Sequence, residues 1–374
     1  MIYLDYAANT PVNEEVLSAF CRVARQYQGN ANSRHEEGWA AKAEMERSTV
    51  AVAALLGVKP SEIIFTSGAT EANNTAIKGI AKAMQGVGKH ILSTPLEHSS
   101  VTGCLQALQK QGYEVEYLSL QADGKINLHD LETKLRNDTV LVAVCAVDSE
   151  LGTIQPLAEI AAVLQNYPNC HLHVDATQAV GKVAFPLQGI DTMSFAPHKF
   201  YGLCGSGILF KRKNVELVPL LEGGASTTSY RSGTPALALA AGTETALRLA
   251  VESRHNWWEI VVQRHTLLRE QLSHYPKVHI NSPIHGSPYI LNLSVAGVRG
   301  QNFQSLLNEF GICVSVKSAC SSDGQPSQAV LALTHDYWNA LSSWRLSLSH
   351  LTTEAEVQEF LVAFAKCYKK LTTQ

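Results

Sequence analysis

Four short polar segments carry the side chains of this sequence that can do chemistry. Each follows a short apolar stretch, and they occupy positions 66–70, 97–98, 175–178 and 198–199. In open α/β sheets, ligands bind beyond the carboxyl ends of the strands. If the apolar stretches are neighbouring strands, the four segments form one composite site that contains carboxylates, imidazoles, hydroxyls and a lysine amine.

The first segment is a glycine-containing turn that leads into a predicted helix beginning near Glu71. Backbone N–H groups and hydroxyls at such a helix start are suited to bind a phosphate group. A second interpretation is that Ser67 or Thr70 only caps the helix, because serine and threonine are favoured at that position. The segment by itself does not decide between the two.

Asp175 and Lys199 each follow the end of a predicted strand. A pyridoxal enzyme needs a lysine for the Schiff base and a carboxylate that keeps the pyridine nitrogen protonated, so that the ring accepts carbanion electrons. Taken singly, Lys199 is typical of a solvated surface lysine, and Asp175 of a turn or cap residue. In order after the phosphate-loop segment, the two residues favour a pyridoxal phosphate site.

The elements that must position these residues alternate between helix and strand from about residue 40 to about residue 211. Residues 40–56 predict a helix that ends at Gly57. Several strand candidates are continuous apolar runs, which is typical of strands buried on both faces of a parallel sheet. The candidates lie at 63–65, 90–93, 115–118, 140–146, 171–175, 193–196 and 208–210. We therefore predict an α/β fold with a mainly parallel sheet flanked by helices.

After about Arg254 the pattern changes to polar helices, a short strand and a loop rich in serine and cysteine. This change predicts two domains. The large cofactor-binding domain is expected at 12–254, and a smaller α+β domain is expected from 1–11 together with 255–374.

The composition argues against several classes of protein. The 374 residues have a formal net charge of -3 without a basic stripe, so direct nucleic-acid binding is not expected. No apolar stretch is long enough for a membrane span, and the first residues do not resemble a signal peptide, so we expect a cytoplasmic protein. The eight cysteines form no CxxC pair, which argues against a metal site and a disulfide framework.

Nine motifs follow one another in an order and spacing that cover almost the whole chain. They are LDYAANTP, FTSGATEANN, the pair EH at 97–98, ELGTIQP, HVDATQAVGK, SFAPHKFYG, RSGT at 231–234, SACSS at 318–322 and WRLSLSHLTTEAEV. With these motifs the sequence resembles the cysteine desulfurases, class V members of the fold-type I pyridoxal-phosphate enzymes.

The resemblance implies pyridoxal 5'-phosphate as the cofactor and suggests a role for each matching residue. Lys199 looks like the Schiff-base lysine, Asp175 like the partner of the pyridine nitrogen, and Gln178 like the residue near the ring hydroxyl. His98 matches the imidazole that stacks on the pyridine ring and is suited to proton transfer. The other matching cofactor positions are Ala69, Thr70, Ser149, Ala196, His198 and Thr234.

Three further implications concern the phosphate, the substrate and the assembly. Ala69, Thr70 and His198 match the phosphate cup, and Thr234 matches a phosphate contact from the other subunit, which implies a homodimer with shared active sites. Arg345 matches the residue that binds the substrate carboxylate, with Ser149 beside the substrate. The structural alternatives are a strand-end histidine for His98 and a surface ion pair for Arg345.

Cys320 stands apart from the other cysteines because it lies in the small polar stretch 318–324, next to Lys317, which favours a thiolate. The resemblance implies that Cys320 takes the sulfur of L-cysteine as a persulfide, leaves L-alanine, and passes the sulfur to an acceptor protein of iron–sulfur assembly or tRNA thiolation. The alternative for Cys320 is a surface thiol without a function.

Four positions depart from the family pattern. Asp148-Ser149-Glu150 replaces a segment with two asparagines, and Ala196 replaces a serine that contacts phosphate. Leu203-Cys204 and Lys317 also differ from the usual residues. These departures indicate a specialised desulfurase. Two other functions stay open: a selenocysteine lyase, C–S lyase or aminotransferase of the same class, and a non-catalytic homologue that acts as a binding partner.

Overall fold

A computed structural model describes residues 1–317 and 324–373 of the chain. The strands of the described residues, in chain order, are β1 Ile2–Tyr3, β2 Ile63–Thr66, β3 His90–Ser93, β4 Glu114–Tyr117, β5 Thr139–Cys145, β6 His171–Asp175, β7 Thr192–Phe195, β8 Gly207–Lys211, β9 Val278–Ile280, β10 Ile290–Val295, β11 Ile312–Cys313 and β12 Ser343–Ser347.

The helices of the same residues are α1 Glu14–Gln26, α2 Glu36–Leu56, α3 Ala69–Ala83, α4 Ser99–Gln109, α5 Leu128–Lys134, α6 Leu157–Leu164, α7 Leu237–Ser273, α8 Gly300–Glu309, α9 Gln328–Thr334, α10 Tyr337–Ser342 and α11 Glu354–Thr372. No helix within the described residues combines the length and the apolar composition that crossing a membrane requires.

The largest sheet has the strand order β2-β8-β7-β6-β5-β3-β4. Only β8 runs antiparallel to its neighbours within this described sheet, and the other pairs are parallel. Every residue of β5 is buried, as expected for a strand covered by helices on both faces. The predicted α/β fold with a mainly parallel sheet is confirmed.

A second, antiparallel sheet has the order β12-β10-β9. Aromatic side chains pack beside it, and the rings of Phe303 and Trp344 stack with centroids 5.0 Å apart. Phe360 and Phe364 of α11 complete this aromatic core. The N-terminus belongs to this part of the molecule, because β1 pairs with β11 and Asp5 bridges to Ser347.

Helix α7 connects the two cores. Its 37 residues span about 55 Å at 1.5 Å per residue. The first half of α7 packs into the core of the large sheet through Leu247 and Ala250, and the second half packs into the aromatic core through Val261 and Leu268. The predicted domain boundary between residues 254 and 255 falls inside this helix, so the division into domains stays a prediction.

Candidate active site

The carboxyl ends of β2, β6 and β7 lie at the same edge of the large sheet, since these strands run in the same direction. A cavity of about 410 Å³ lies at this edge. The predicted site residues that line it are Ala69, Thr70, His98, Ser149, Asp175, Gln178, His198, Lys199 and Arg345. The fold therefore brings residues of all four polar segments together, as their positions after the ends of predicted strands indicated.

Lys199 ends a 3₁₀ turn that directly follows β7. Its half-buried Nζ donates hydrogen bonds to the backbone oxygens of Ala7, at 3.0 Å, and Ala8, at 2.6 Å. The hydroxyl of Thr10 braces the same turn, since it donates to the backbone oxygen of His198 at 2.9 Å and accepts the N–H of Tyr201 at 2.7 Å. The N-terminal segment thus holds the lysine amine at the cavity.

Asp175, the last residue of β6, is buried with both carboxylate oxygens bonded. One oxygen accepts the N–H of Thr177 at 3.0 Å, and the other accepts the Nδ2 of Asn73 at 2.8 Å. Two hydrogen bonds to the carboxylate fix its plane, so Asp175 presents a fixed acceptor to the cavity.

Asn73 on α3 is a fully buried residue that joins several of these groups. Its Oδ1 accepts from the Nε2 of His173 at 2.9 Å and from the hydroxyl of Ser194. Its Nδ2 donates to Asp175 and also to the hydroxyl of Ser100 at 2.8 Å. Burial lowers the pKa of His173 to about 4, so its ring is neutral at pH 7 and donates through Nε2.

His98 begins helix α4 and lines the cavity at the same time. Its Nδ1 accepts the backbone N–H of Ser100 at 3.2 Å and lies 2.9 Å from the hydroxyl of that residue. Because a backbone N–H can only donate, Nδ1 carries no proton, and the proton of the neutral ring is on Nε2. Burial lowers the pKa of His98, and the nearby Lys199 lowers it further, although Asp175 opposes this.

The start of α3 is an open helix end. The helix begins at Ala69, two residues before the predicted start, and its cap residue Gly68 makes no side-chain bond. The interpretation that Ser67 or Thr70 caps the helix is therefore wrong. Ser67 instead donates its N–H to the Glu71 carboxylate at 2.8 Å. The free N–H groups of the first turn are suited to bind an anion.

Arg345 on β12 extends from the second sheet into the cavity. Its side chain is buried, so the interpretation as a surface ion pair is wrong. One terminal nitrogen donates to the backbone oxygen of Ser149 at 2.7 Å, and the other donates to the Asp5 carboxylate at 2.8 Å. These two bonds hold the guanidinium while leaving N–H groups for a substrate carboxylate.

The other predicted residues do not line this cavity. Ala196 is completely buried directly before the lysine turn and offers no side-chain hydrogen bond. Thr234 is exposed and lies outside the residues that line the cavity, so its contact with a second subunit stays a prediction. Cys320 lies outside the described residues.

Three side chains beside the cavity, those of Asn73, Lys182 and Glu97, had no role predicted from the sequence. Asn73 lies one helical turn after Thr70, so its position in FTSGATEANN was a usable signal. Glu97 belongs to the polar segment 97–98 and Lys182 ends the motif HVDATQAVGK, but a role for either residue is recognised only by its burial. Burial raises the pKa of Glu97 to about 8, while Thr94 and the N–H of Cys145 donate to this carboxyl group.

Comparisons with known proteins show the family to which this chain belongs. The model of the aminotransferase class-V family matches residues 2–360. Cysteine desulfurase of Homo sapiens is 38% identical over 364 residues, which cover 95% of this chain and 79% of the human protein.

The chain belongs to the cysteine desulfurase family. A NifS/IcsS protein homolog of Lactobacillus delbrueckii subsp. bulgaricus is 38% identical over 379 residues, covering 99% of this chain and 97% of that protein. A solved structure of a NifS-like protein has a TM-score of 0.92 at 33% identity and covers 100% of both chains. The cysteine desulfurase family and the class-V aminotransferases depend on pyridoxal phosphate.

Proposed function

We propose that this protein is a pyridoxal 5'-phosphate-dependent cysteine desulfurase that converts L-cysteine to L-alanine and places the sulfur on Cys320 as a persulfide. The observation that supports it best is a single cavity in which the Lys199 amine, the Asp175 carboxylate, the His98 ring and the Arg345 guanidinium meet. Each of the four groups has a separate task in such a reaction.

The donors and acceptors of the cavity fit pyridoxal phosphate. Lys199 would hold it covalently, and the open N-terminus of α3 with Thr70 and His198 would bind its phosphate. Asp175 would accept a hydrogen bond from the pyridine nitrogen, and Gln178 would contact the ring hydroxyl. When bound, this cofactor withdraws electrons from the Cα atom of an amino acid.

Arg345 would bind the carboxylate of L-cysteine. Its bonds to the Ser149 backbone and to Asp5 use one N–H of each terminal nitrogen, and a second N–H of each remains. Because the guanidinium is buried and held at both nitrogens, little further ordering is needed when the carboxylate binds. The substrate is thereby oriented with its Cα atom near Lys199.

Lys199 and His98 would move the protons. Once the amine of L-cysteine has replaced it on the cofactor, the freed Lys199 amine would take up the Cα proton. The backbone oxygens of Ala7 and Ala8 accept hydrogen bonds from this amine and hold it at the cavity. The neutral His98 ring presents Nε2–H, since its Nδ1 is occupied by the N–H of Ser100. This proton donor serves a group that gains negative charge during the reaction.

Cys320 would complete the sulfur transfer. Its thiolate attacks the sulfur of the substrate, an S–S bond forms, and the Cβ–S bond breaks. The electron pair stays with Cβ, which takes up a proton, and alanine leaves. The persulfide then passes to an acceptor protein, for which iron–sulfur scaffolds and tRNA-thiolation proteins are the classes suggested by the family. We propose that the enzyme acts in the cytoplasm as a homodimer, with Thr234 contributing to the partner site.

The decisive experiment incubates the purified protein with L-cysteine, quantifies alanine, and measures the mass of the peptide that contains Cys320. We expect one alanine per sulfur transferred and a mass increase of one sulfur atom on this peptide. The variant Cys320→Ser should retain the visible absorbance of bound pyridoxal phosphate and lose persulfide formation.

Cys204 provides a matched control because it is the exposed cysteine closest in sequence to Lys199. Cys204→Ser should form the persulfide at the rate of the unmodified protein. Full desulfurase activity in Cys320→Ser would reject Cys320 as the sulfur carrier. A protein that stays colourless with added pyridoxal phosphate would reject the enzyme assignment altogether.

A further inference from the structure

Lys182 is a buried lysine close to the proposed site, with 7% of its surface exposed. Its Nζ donates to an amide oxygen, the Oε1 of Gln178, at 2.9 Å. It also lies 5.7 Å from the centre of the Tyr289 ring. Burial lowers the pKa of Lys182 to about 7, and the charges of Lys199 and Arg345 lower it further. Burying an ammonium group costs free energy. The presence of a lysine at this buried position, with its hydrogen bond to Gln178, therefore needs an explanation.

The Gln178 amide has only one orientation that satisfies its neighbours. Its other end lies 2.8 Å from the backbone oxygen of Ala7, which can only accept a hydrogen bond. The nitrogen must therefore face Ala7, and the oxygen must face Lys182. The same oxygen of Ala7 accepts from Lys199 at 3.0 Å. The four groups form one chain of hydrogen bonds from Lys182 to the Lys199 amine.

The second N–H of the Gln178 amide is not used by this chain. Gln178 lines the cavity, whereas Lys182 is absent from the residues described along its wall. When Lys182 is protonated, below its pKa of about 7, its charge on Oε1 also polarises the amide, which makes the N–H groups stronger donors. Lys182 therefore makes its hydrogen-bonded contact with the cavity through Gln178, while its charge also acts on His198 and Lys199.

We propose that Lys182 is a positioning residue that fixes the Gln178 amide, so that its second Nε2–H is directed at the ring hydroxyl of pyridoxal phosphate. This inference rests on the proposed function. It assigns to Lys182 a task in cofactor binding that differs from the covalent role of Lys199. A solely structural lysine would leave the properties of the bound cofactor unchanged.

The test compares the apo forms of the protein and of Lys182→Met by titration with pyridoxal phosphate. We expect the dissociation constant to rise about 10- to 100-fold, the range for losing a hydrogen bond to a charged group. The pH midpoint of the visible absorbance of bound pyridoxal phosphate should also rise. A ring oxygen that has lost the N–H donor of Gln178 binds the proton beside it more tightly. Lys182→Arg, which keeps a donor, should restore most of both properties.

A double-mutant cycle with Gln178→Ala separates positioning from general loss of stability. In the Gln178→Ala background, Lys182→Met should cause a much smaller change of affinity and pH midpoint, because only its direct charge effect on His198 and Lys199 remains. Lys211 supplies a control, since it is also buried and donates to the backbone oxygens of Arg212 and Val215 away from the cavity. Lys211→Met should leave the midpoint unchanged even if it lowers the melting temperature.

Two outcomes overturn the inference. Lys182→Met with unaltered affinity and midpoint would do so, and so would equal effects of Lys182→Met with and without Gln178. Failure of the unmodified protein to bind pyridoxal phosphate would instead reject the proposed function on which the inference rests. If Lys182→Met does not fold, the same comparisons are made with Lys182→Leu, which is neutral, shorter and without a hydrogen-bond donor.

Discussion

The amide nitrogen of Asn73 lies 2.8 Å from a carboxylate oxygen of Asp175, although the two residues are 102 positions apart in the sequence. The amide oxygen of Asn73 accepts from His173 and Ser194 at the same time. One side chain of α3 therefore sets the orientation of the carboxylate that would face the pyridine nitrogen.

Asn73→Ala should destabilise the apo protein by about 2–4 kcal/mol, because several buried polar groups lose their partner together. The measurement is the free energy of unfolding in urea, followed by the affinity of the refolded variant for pyridoxal phosphate. Asn74→Ala is the control, because this more exposed neighbour bonds only the Thr70 backbone oxygen among the contacts described for its side chain. A change in Asn73→Ala no larger than in Asn74→Ala would contradict the role of the network.

Arg345→Lys should raise the KM for L-cysteine at least about tenfold, with a smaller change in kcat. A lysine keeps the charge but cannot bond Ser149, Asp5 and a carboxylate through one planar fork. Steady-state alanine formation measures both constants. Arg264→Lys is the matched control, since Arg264 pairs with Glu354 at 3.7 Å away from the cavity. An unchanged KM in Arg345→Lys would exclude Arg345 from binding the substrate.

Asp148→Asn should stabilise the protein above pH 7. Burial and the nearby Glu150 raise the pKa of Asp148 to about 7, while an unfolded aspartate ionises near about 4. Between these values the folded protein binds more protons than the unfolded chain, so the stability contributed by Asp148 falls as the pH rises. Asparagine does not ionise, and its oxygen can still accept the N–H groups of Glu150 and Leu151.

The expected gain of Asp148→Asn is on the order of 2–4 kcal/mol at pH 8 and smaller near pH 5, measured by urea unfolding at both values. Asp130 is the control, because its pKa is shifted in the opposite direction. Burial would raise its pKa, but hydrogen bonds from Ser119 and Lys134 hold the pKa below the ordinary value. Asp130→Asn should therefore lose stability at pH 8. An equal effect of Asp148→Asn at pH 5 and pH 8 would show that its folded pKa is not raised.

Gly207→Ala should weaken cofactor binding about tenfold or more. A methyl group at this position would lie 2.5 Å from the backbone carbon of Gly68, so β8 would push the turn before α3 out of place. Titration of the apo protein with pyridoxal phosphate measures the loss. Gly103 on α4 has open space around it, and Gly103→Ala should stabilise the helix without changing the affinity. Unaltered affinity in Gly207→Ala would mean that the turn does not bind the phosphate.

Local signals were sufficient for many elements of the fold. The helix predicted to stop at Gly57 does end there, with Gly57 in the left-handed conformation at φ 67°. The apolar runs at 171–175 and 140–146 are neighbouring strands of the parallel sheet. The helix start at Ala69 was missed by two residues, because its cap is a glycine without a side-chain signal. The domain boundary could not be located from composition, since α7 crosses it as one continuous helix.

By itself, the sequence determined which residue types form the site and in which order they follow one another along the chain. Lys199, Asp175 and His98 follow apolar strands, and the strand-end rule was sufficient to predict that they share one cavity. The tertiary structure decided the supporting contacts. Asn73 reaches Asp175 because α3 packs on the sheet, Arg345 reaches the backbone of Ser149 from the second sheet, and Lys182 lies buried behind Gln178. These contacts join residues distant in sequence or depend on burial, and neither property is encoded in a local pattern of residue types.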